Sequence, residues 1–190
     1  MLDVTNMNDY PLAVFIALLL GQGIAEYAAM LRTGTLKRKR KREWTYYVVA
    51  VPYKAMFLAA IVEHIEFGTH PTTPMMLAGI FLATAGIAVR VVCHLELAGA
   101  FSQYVQKFEG QKLIHSGMYA TIRHPMYLGV ILLLVGMPLV LAVRFTWLLC
   151  PIGLVGLIIR IRKEEALLIR ELPGYREYTE RTWRLVPHIY

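Results

Sequence analysis

Residues 125–143, PMYLGVILLLVGMPLVLAV, contain no Asp, Glu, Lys or Arg. Such a run constrains a chain more than any motif does. About 20 apolar residues in a helix cross the hydrocarbon of a bilayer, and only a helix or a closed barrel satisfies its backbone there. Four further blocks are of comparable character: 11–31 (PLAVFIALLLGQGIAEYAAML), 44–66, 74–98 and 145–161. Pro11 suits the start of the first helix, and Trp44, Tyr46 and Tyr47 suit the headgroup level at the start of the second. Only Arg144 separates the last two blocks, and with Pro138 and Pro151 it favours a tight hairpin of two short spans over one broken stretch. The expectation is an all-α, polytopic membrane protein with about five transmembrane helices. Composition agrees: 57% of residues are hydrophobic and 17% charged, against about 45–50% and 25% in soluble domains.

Charge sets the orientation. The loop after the first block, RTGTLKRKRKRE, holds Arg32, Lys37, Arg38, Lys39, Arg40, Lys41 and Arg42, whereas GTHPTTP after the second has no Lys or Arg. Segment 99–124 carries Lys107, Lys112 and Arg123, and the tail after 159 is rich in arginine. The positive-inside rule then places the N-terminus outside and the C-terminus in the cytoplasm. The net charge of +7 sits beside apolar blocks, which points to the lipid bilayer as partner and away from nucleic acid. Cys93 and Cys150 lie inside apolar blocks, so no disulfide framework is expected. The start, MLDVTNMNDY, lacks the basic n-region of a cleaved signal peptide, so the first block is expected to remain. The chain divides into a three-span scaffold, 1–98, and a part comprising 99–190 with the hairpin and the tail, integrated as one domain. Its two polar segments, 99–124 and 160–190, must meet at the cytoplasmic face.

Two stretches there carry chemistry-bearing side chains, and each has a plain structural reading. In the tail, Arg160 and Glu164 stand four apart on one helix face and can pair, with Glu165 beside them. Leu167, Leu168 and Leu172 give an apolar side, Pro173-Gly174 ends the helix, and Tyr175, Tyr178 and Trp183 suit packing against the membrane face. This describes an amphipathic interfacial helix with a surface salt bridge. In RHPMYLG (123–129), Pro125 starts a span, Arg123 answers lipid headgroups, and His124 and Tyr127 anchor the interface. No ligand pair among Cys93, His94, His115 and His124 has metal-motif spacing, and no metal is expected. Within the spans, Glu26, Lys54, Arg90, His94 and Glu96 are costly in hydrocarbon. Glu26 and Lys54 lie at comparable depths and could pair; the alternative is that such residues line a lipid-substrate tunnel.

FSQYVQ (101–106), LIHSGMYATIRHPMYLG (113–129), RIRKEEALL (160–168) and PGYREYTERTWRLVP (173–187), in that order around a two-helix hairpin, resemble the isoprenylcysteine carboxyl methyltransferase family. The resemblance covers roughly residues 99–187. It implies S-adenosylmethionine as cofactor at the cytoplasmic membrane face. The contacts it implies are Gln106, Gln111, Lys112, Leu113, Ile114, Tyr119, His124, Pro125, Met126, Tyr127 and Glu164. It also implies Arg160 as the arginine tied to substrate and catalysis. Glu165 is expected to be catalytic beside it, and Glu164 or Glu165 to hold that arginine or the cofactor in place.

The chemistry is consistent with those roles. Tyrosine faces stabilise a sulfonium cation, and a helix start with an imidazole can bind a carboxylate. A carboxylate acceptor is already ionised at neutral pH and needs chiefly alignment, which an arginine fork supplies. The expected activity is carboxyl O-methylation of a lipophilic, isoprenylcysteine-like acid. The rivals are a phospholipid amine N-methyltransferase and a sterol-type membrane reductase using NADPH, whose tail is similar. An amine acceptor would have to lose a proton, and no obvious base stands beside Arg160. The EE pair after an arginine argues against the reductase. The topology is testable: a cysteine at Thr69 should be labelled only from outside and one at Ser116 only from the cytoplasm, and labelling of both from one side would contradict the five-span arrangement.

Overall fold

The computed structural model describes residues 10–35, 44–97 and 113–190. Its elements are α1 (Tyr10–Arg32), α2 (Trp44–Phe67), α3 (Thr73–Glu96), α4 (Pro125–Leu141), α5 (Cys150–Glu171) and α6 (Tyr175–Arg181), with short 3-10 turns at Gly117–Ala120 and Phe145–Leu149. Among the described residues, four helices are long and apolar enough to cross a membrane: α1, α2, α3 and the stretch Phe145–Glu171 that contains α5. The remaining expected span, α4, has 17 residues, about 26 Å of helix. Pro74 begins α3, Pro125 begins α4 and Pro151 begins α5, each where the missing N–H costs nothing.

Helices α3 and α4 run antiparallel with their backbones in contact. A Cβ on Gly79 would lie 2.8 Å from the Gly136 carbonyl oxygen, and one on Gly136 would lie 2.8 Å from that of Gly79. Gly86 and Gly129 repeat the reciprocal contact, at 2.8 and 2.9 Å. In each helix the two glycines are seven residues apart, two helical turns, so they share one face. Lipid gives helices no hydrophobic reason to associate, and small residues that admit close backbone approach supply packing instead. Leu133, Met137, Val140 and Leu141 on α4 complete the core with Phe15 of α1, Phe57 of α2 and Ala83 of α3. Helix α5 packs on α2, where Gly156 leaves room for the Val48 carbonyl.

The turn between α4 and α5 is held by Glu63 of α2 and by Thr69 just beyond that helix. Ala142, in the left-handed region, ends α4. The Glu63 carboxylate accepts the backbone N–H groups of Arg144, Phe145 and Thr146, at 2.5, 3.0 and 2.8 Å, and the Thr146 hydroxyl at 2.7 Å. It does from a distance what a capping residue does locally, meeting the orphan donors of the 3-10 start. The Thr69 hydroxyl donates to the Leu141 carbonyl. Because Thr69 is so engaged, exposed His70 beside it is the freer site for an external label.

The tail differs from expectation. The segment read as a separate interfacial helix is the unbroken continuation of α5 to Glu171. Tyr175 and Tyr178 on α6 are buried with Leu113, Leu168 and Leu172, whereas Trp183 stays partly exposed.

Gly136→Ala should destabilise the protein by about 1–3 kcal/mol, since a Cβ there meets the Ala83 backbone nitrogen at 2.6 Å. Gly21→Ala, with nothing within 4 Å, should be neutral or slightly stabilising. Thermal unfolding of both variants in detergent checks the contrast; equal behaviour would contradict the seam.

Candidate active site

The stretch YATIRHPMYLG forms the floor of the site, and the tail locks it there. Arg123 N–H donates to the Trp183 carbonyl at 2.7 Å, His124 N–H to that of Arg184 at 3.0 Å, and Trp183 N–H to that of Thr121 at 2.9 Å. Ile122 and Trp183 thus form an isolated parallel bridge. The Tyr178 hydroxyl donates to the Tyr119 carbonyl at 2.6 Å. Burial pushes the Tyr178 phenol up to about 12 and that of Tyr119 well above its ordinary value, so both are neutral at physiological pH.

Arg123 is not a lipid-facing cation. Its side chain is buried; Nε donates to Glu165 Oε1 at 2.8 Å and Nη1 to the carbonyls of Thr179, at 3.0 Å, and Thr182. Arg184 Nε takes the other Glu165 oxygen at 2.8 Å. Burial opposes the Arg184 charge, but the bond to Glu165 outweighs it and holds the guanidinium above its ordinary value. Glu165 therefore ties α5 to the motif and the tail. Adjacent residues on a helix point about 100° apart, and Glu164 turns to another side.

On that side, Tyr127 stands between the two residues expected to pair. Arg160 Nε donates to its hydroxyl at 2.8 Å, and the hydroxyl donates to Glu164 Oε2 at 2.5 Å. Arg160 Nη1 also donates to the Thr45 hydroxyl on α2 at 3.2 Å. The expected i,i+4 pair is thus a three-residue chain, because Tyr127 on α4 fills the space between α4 and α5. His124 lies over Tyr127, ring centroids 5.5 Å apart and nearly parallel. Its Nε2 is buried without a hydrogen-bond partner, 3.5 Å from Glu165 Oε1.

Arg160, Met126 and Tyr127 open onto a cavity of about 240 Å³ between the helices. Its walls also include Gln22, Glu26, Tyr53, Lys54 and Arg90. Glu26 does not pair with Lys54. Helix α1 packs on α3, so Glu26 meets Arg90 in a two-point bridge, Nε to Oε1 at 2.6 Å and Nη2 to Oε2 at 2.8 Å. The Gln22 amide donates to Glu26 at 3.1 Å and to the Tyr53 hydroxyl at 2.9 Å.

The remaining expected residues divide. Ile114, Tyr119 and Met126 gather with Cys93 in one apolar cluster, Leu113 packs under α6, and Pro125 is buried at the α4 start. Gln106, Gln111 and Lys112 lie outside the described residues. The Gln22–Glu26–Arg90 cluster and the Thr45 contact were not assigned from sequence. The spacing of Gln22 and Glu26, four apart in an apolar helix, was the available signal.

Fold and site together describe a polytopic helical membrane protein with a charged chamber opening beside the loop, the hairpin and the tail. A model of the isoprenylcysteine carboxyl methyltransferase (ICMT) family matches residues 77–170, and the chain belongs to that family. The solved structure of a eukaryotic intramembrane Ras methyltransferase, ICMT, superposes with a TM-score of 0.69 at 19% identity, covering 96% of this chain and 68% of that one. At that identity the likeness concerns the fold. No curated relative matches the chain by sequence.

Proposed function

We propose that the protein transfers a methyl group from S-adenosylmethionine to the carboxylate of a lipophilic, isoprenylcysteine-like acid at the cytoplasmic membrane face. Family membership supports methyl transfer, and the basic loops support the orientation. The observation that carries the acceptor assignment is the chain Arg160–Tyr127–Glu164 at the edge of the cavity.

The residues present suit the cofactor. His124 stands at the α4 start, stacked on Tyr127, where the helix N-terminus suits a carboxylate. Tyr119 and Tyr127 offer faces to a cation, and Glu164 offers a charge to an ammonium or ribose hydroxyl. When bound, S-adenosylmethionine supplies a sulfonium methyl group, which an acceptor oxygen takes while the bonding pair stays on sulfur. No proton has to move, so the protein's task is alignment. Tyr127 fixes Arg160 through Nε, and Thr45 steadies Nη1. The guanidinium so held orients an acceptor carboxylate in one plane. Glu165 acts differently from the sequence expectation: with both oxygens on Arg123 and Arg184, it holds the tail over the loop.

Arg160→Lys keeps the charge and loses the fork geometry. Turnover should fall by about a hundredfold while S-adenosylhomocysteine affinity changes little, because a contact serving the transition state appears in the rate. Glu164→Gln should first weaken S-adenosylhomocysteine binding, by about tenfold. A surface salt bridge alone would give effects within about 1 kcal/mol in both. Near-full turnover in Arg160→Lys would contradict the clamp and favour an amine acceptor.

A further inference from the structure

A second pocket, of about 390 Å³, shares no lining residue with the chamber. Arg123, Arg181 and Arg184 line it together with Glu180, Trp183 and Tyr190. No step of the proposed methyl transfer takes place there.

Each arginine has donors left to give, for a guanidinium carries five N–H groups. The Arg123 side chain is only 8% exposed; Nε and Nη1 are committed to Glu165, Thr179 and Thr182, and Nη2 makes no hydrogen bond to the described residues. A buried donor left unmet is costly, so this one calls for an acceptor from outside. Arg184 spends Nε on Glu165, lies 5.2 Å from the Tyr190 ring centre and is 39% exposed. Arg181 ends α6, is exposed, and its side chain makes no hydrogen bond to the described residues. Glu165 beneath and Glu180 on the wall answer two of the three charges, and one positive charge remains.

The surroundings are apolar. Leu185 and Val186 N–H both donate to the Tyr190 carbonyl, at 2.8 and 3.1 Å, with His188 in the left-handed region of the turn between them. This fold-back leaves Trp183, Val186 and Ile189 exposed in the segment that walls the pocket. Tryptophan suits the headgroup level of a bilayer. A small anion in solution has no use for such side chains, whereas a lipid tail does.

We propose that this pocket binds the phosphate of an anionic phospholipid, gripped by Arg123, Arg181 and Arg184, with the acyl chains against Trp183, Val186 and Ile189. Arginine forks match phosphate oxygens at two points, and basic pockets at a membrane face take anionic headgroups. A bound headgroup joins Arg123 of the loop to Arg184 of the tail a second time, beyond the bridge Glu165 already makes. It thereby fastens the tail to both the loop and the bilayer.

Calorimetry on the purified protein in detergent tests this with three probes: dioctanoylphosphatidylglycerol, dioctanoylphosphatidylcholine and inorganic phosphate. The glycerol lipid should bind saturably at one equivalent, about tenfold or more tighter than the choline lipid. Arg181→Gln should weaken it about tenfold, whereas Arg176→Gln, which removes an exposed α6 cation outside the pocket, should leave it unchanged. Ile189→Ser should weaken the lipid and spare phosphate. Phosphate binding as tight as the lipid's, with the same dependence on Arg181, overturns the lipid as occupant. Equal losses in Arg181→Gln and Arg176→Gln reduce the effect to general attraction by a basic face and overturn the pocket, as does the absence of saturable binding. None of these readouts uses methyl transfer, so their failure leaves that reading standing.

Discussion

The pairing of Glu26 with Arg90 between α1 and α3 is the interaction on which the arrangement of helices rests. An ionised side chain within a membrane is costly unless it finds a partner or water. The gain of such a pair over an apolar core is small or negative, but removing one partner strands the other at about 3–5 kcal/mol. The pair therefore selects among packings more than it adds stability. The other polar contacts act alike: Arg160 joins α5 to α4 and α2 through Tyr127 and Thr45, and Glu63 joins α2 to the α4–α5 turn. Each helix is located by a polar bond to another, and the chamber is the space these bonds surround.

Close backbone packing does the rest. The α3–α4 glycines bring two apolar helices together where hydrophobic association is absent, and the same seam carries Arg90 across Gly129 into the chamber. Gly129 thus serves packing and site at once. A short α4 also sets the motif at its start within reach of the tail, where Arg123 and Arg184 share Glu165.

Much of the fold was legible because hydrocarbon imposes simple rules. The spans expected at 11–31, 44–66 and 74–98 fall within a few residues of α1, α2 and α3, since apolar length alone decides them. Motif order likewise led to the family. Side-chain partners were not legible. Depth along a helix suggested Lys54 for Glu26, but the partner depends on which helix α1 faces, and the seven-residue glycine spacing that fixes α3 against α4 went unread. Spacing suggested that Arg160 meets Glu164 directly; a tyrosine from another helix stands between them. The roles of Glu164 and Glu165 could not be separated by sequence, because their difference is one of helix face.

The most direct test of the central claim is transfer of radiolabelled methyl from S-adenosylmethionine to a prenylcysteine by the purified protein, followed by alkaline treatment of the product. A carboxyl methyl ester releases its label as volatile methanol in base, and the account expects that release. Label stable to base would place the methyl on nitrogen and contradict a carboxylate acceptor. No incorporation, with NADPH rather than S-adenosylhomocysteine binding to the protein, would contradict methyl transfer altogether.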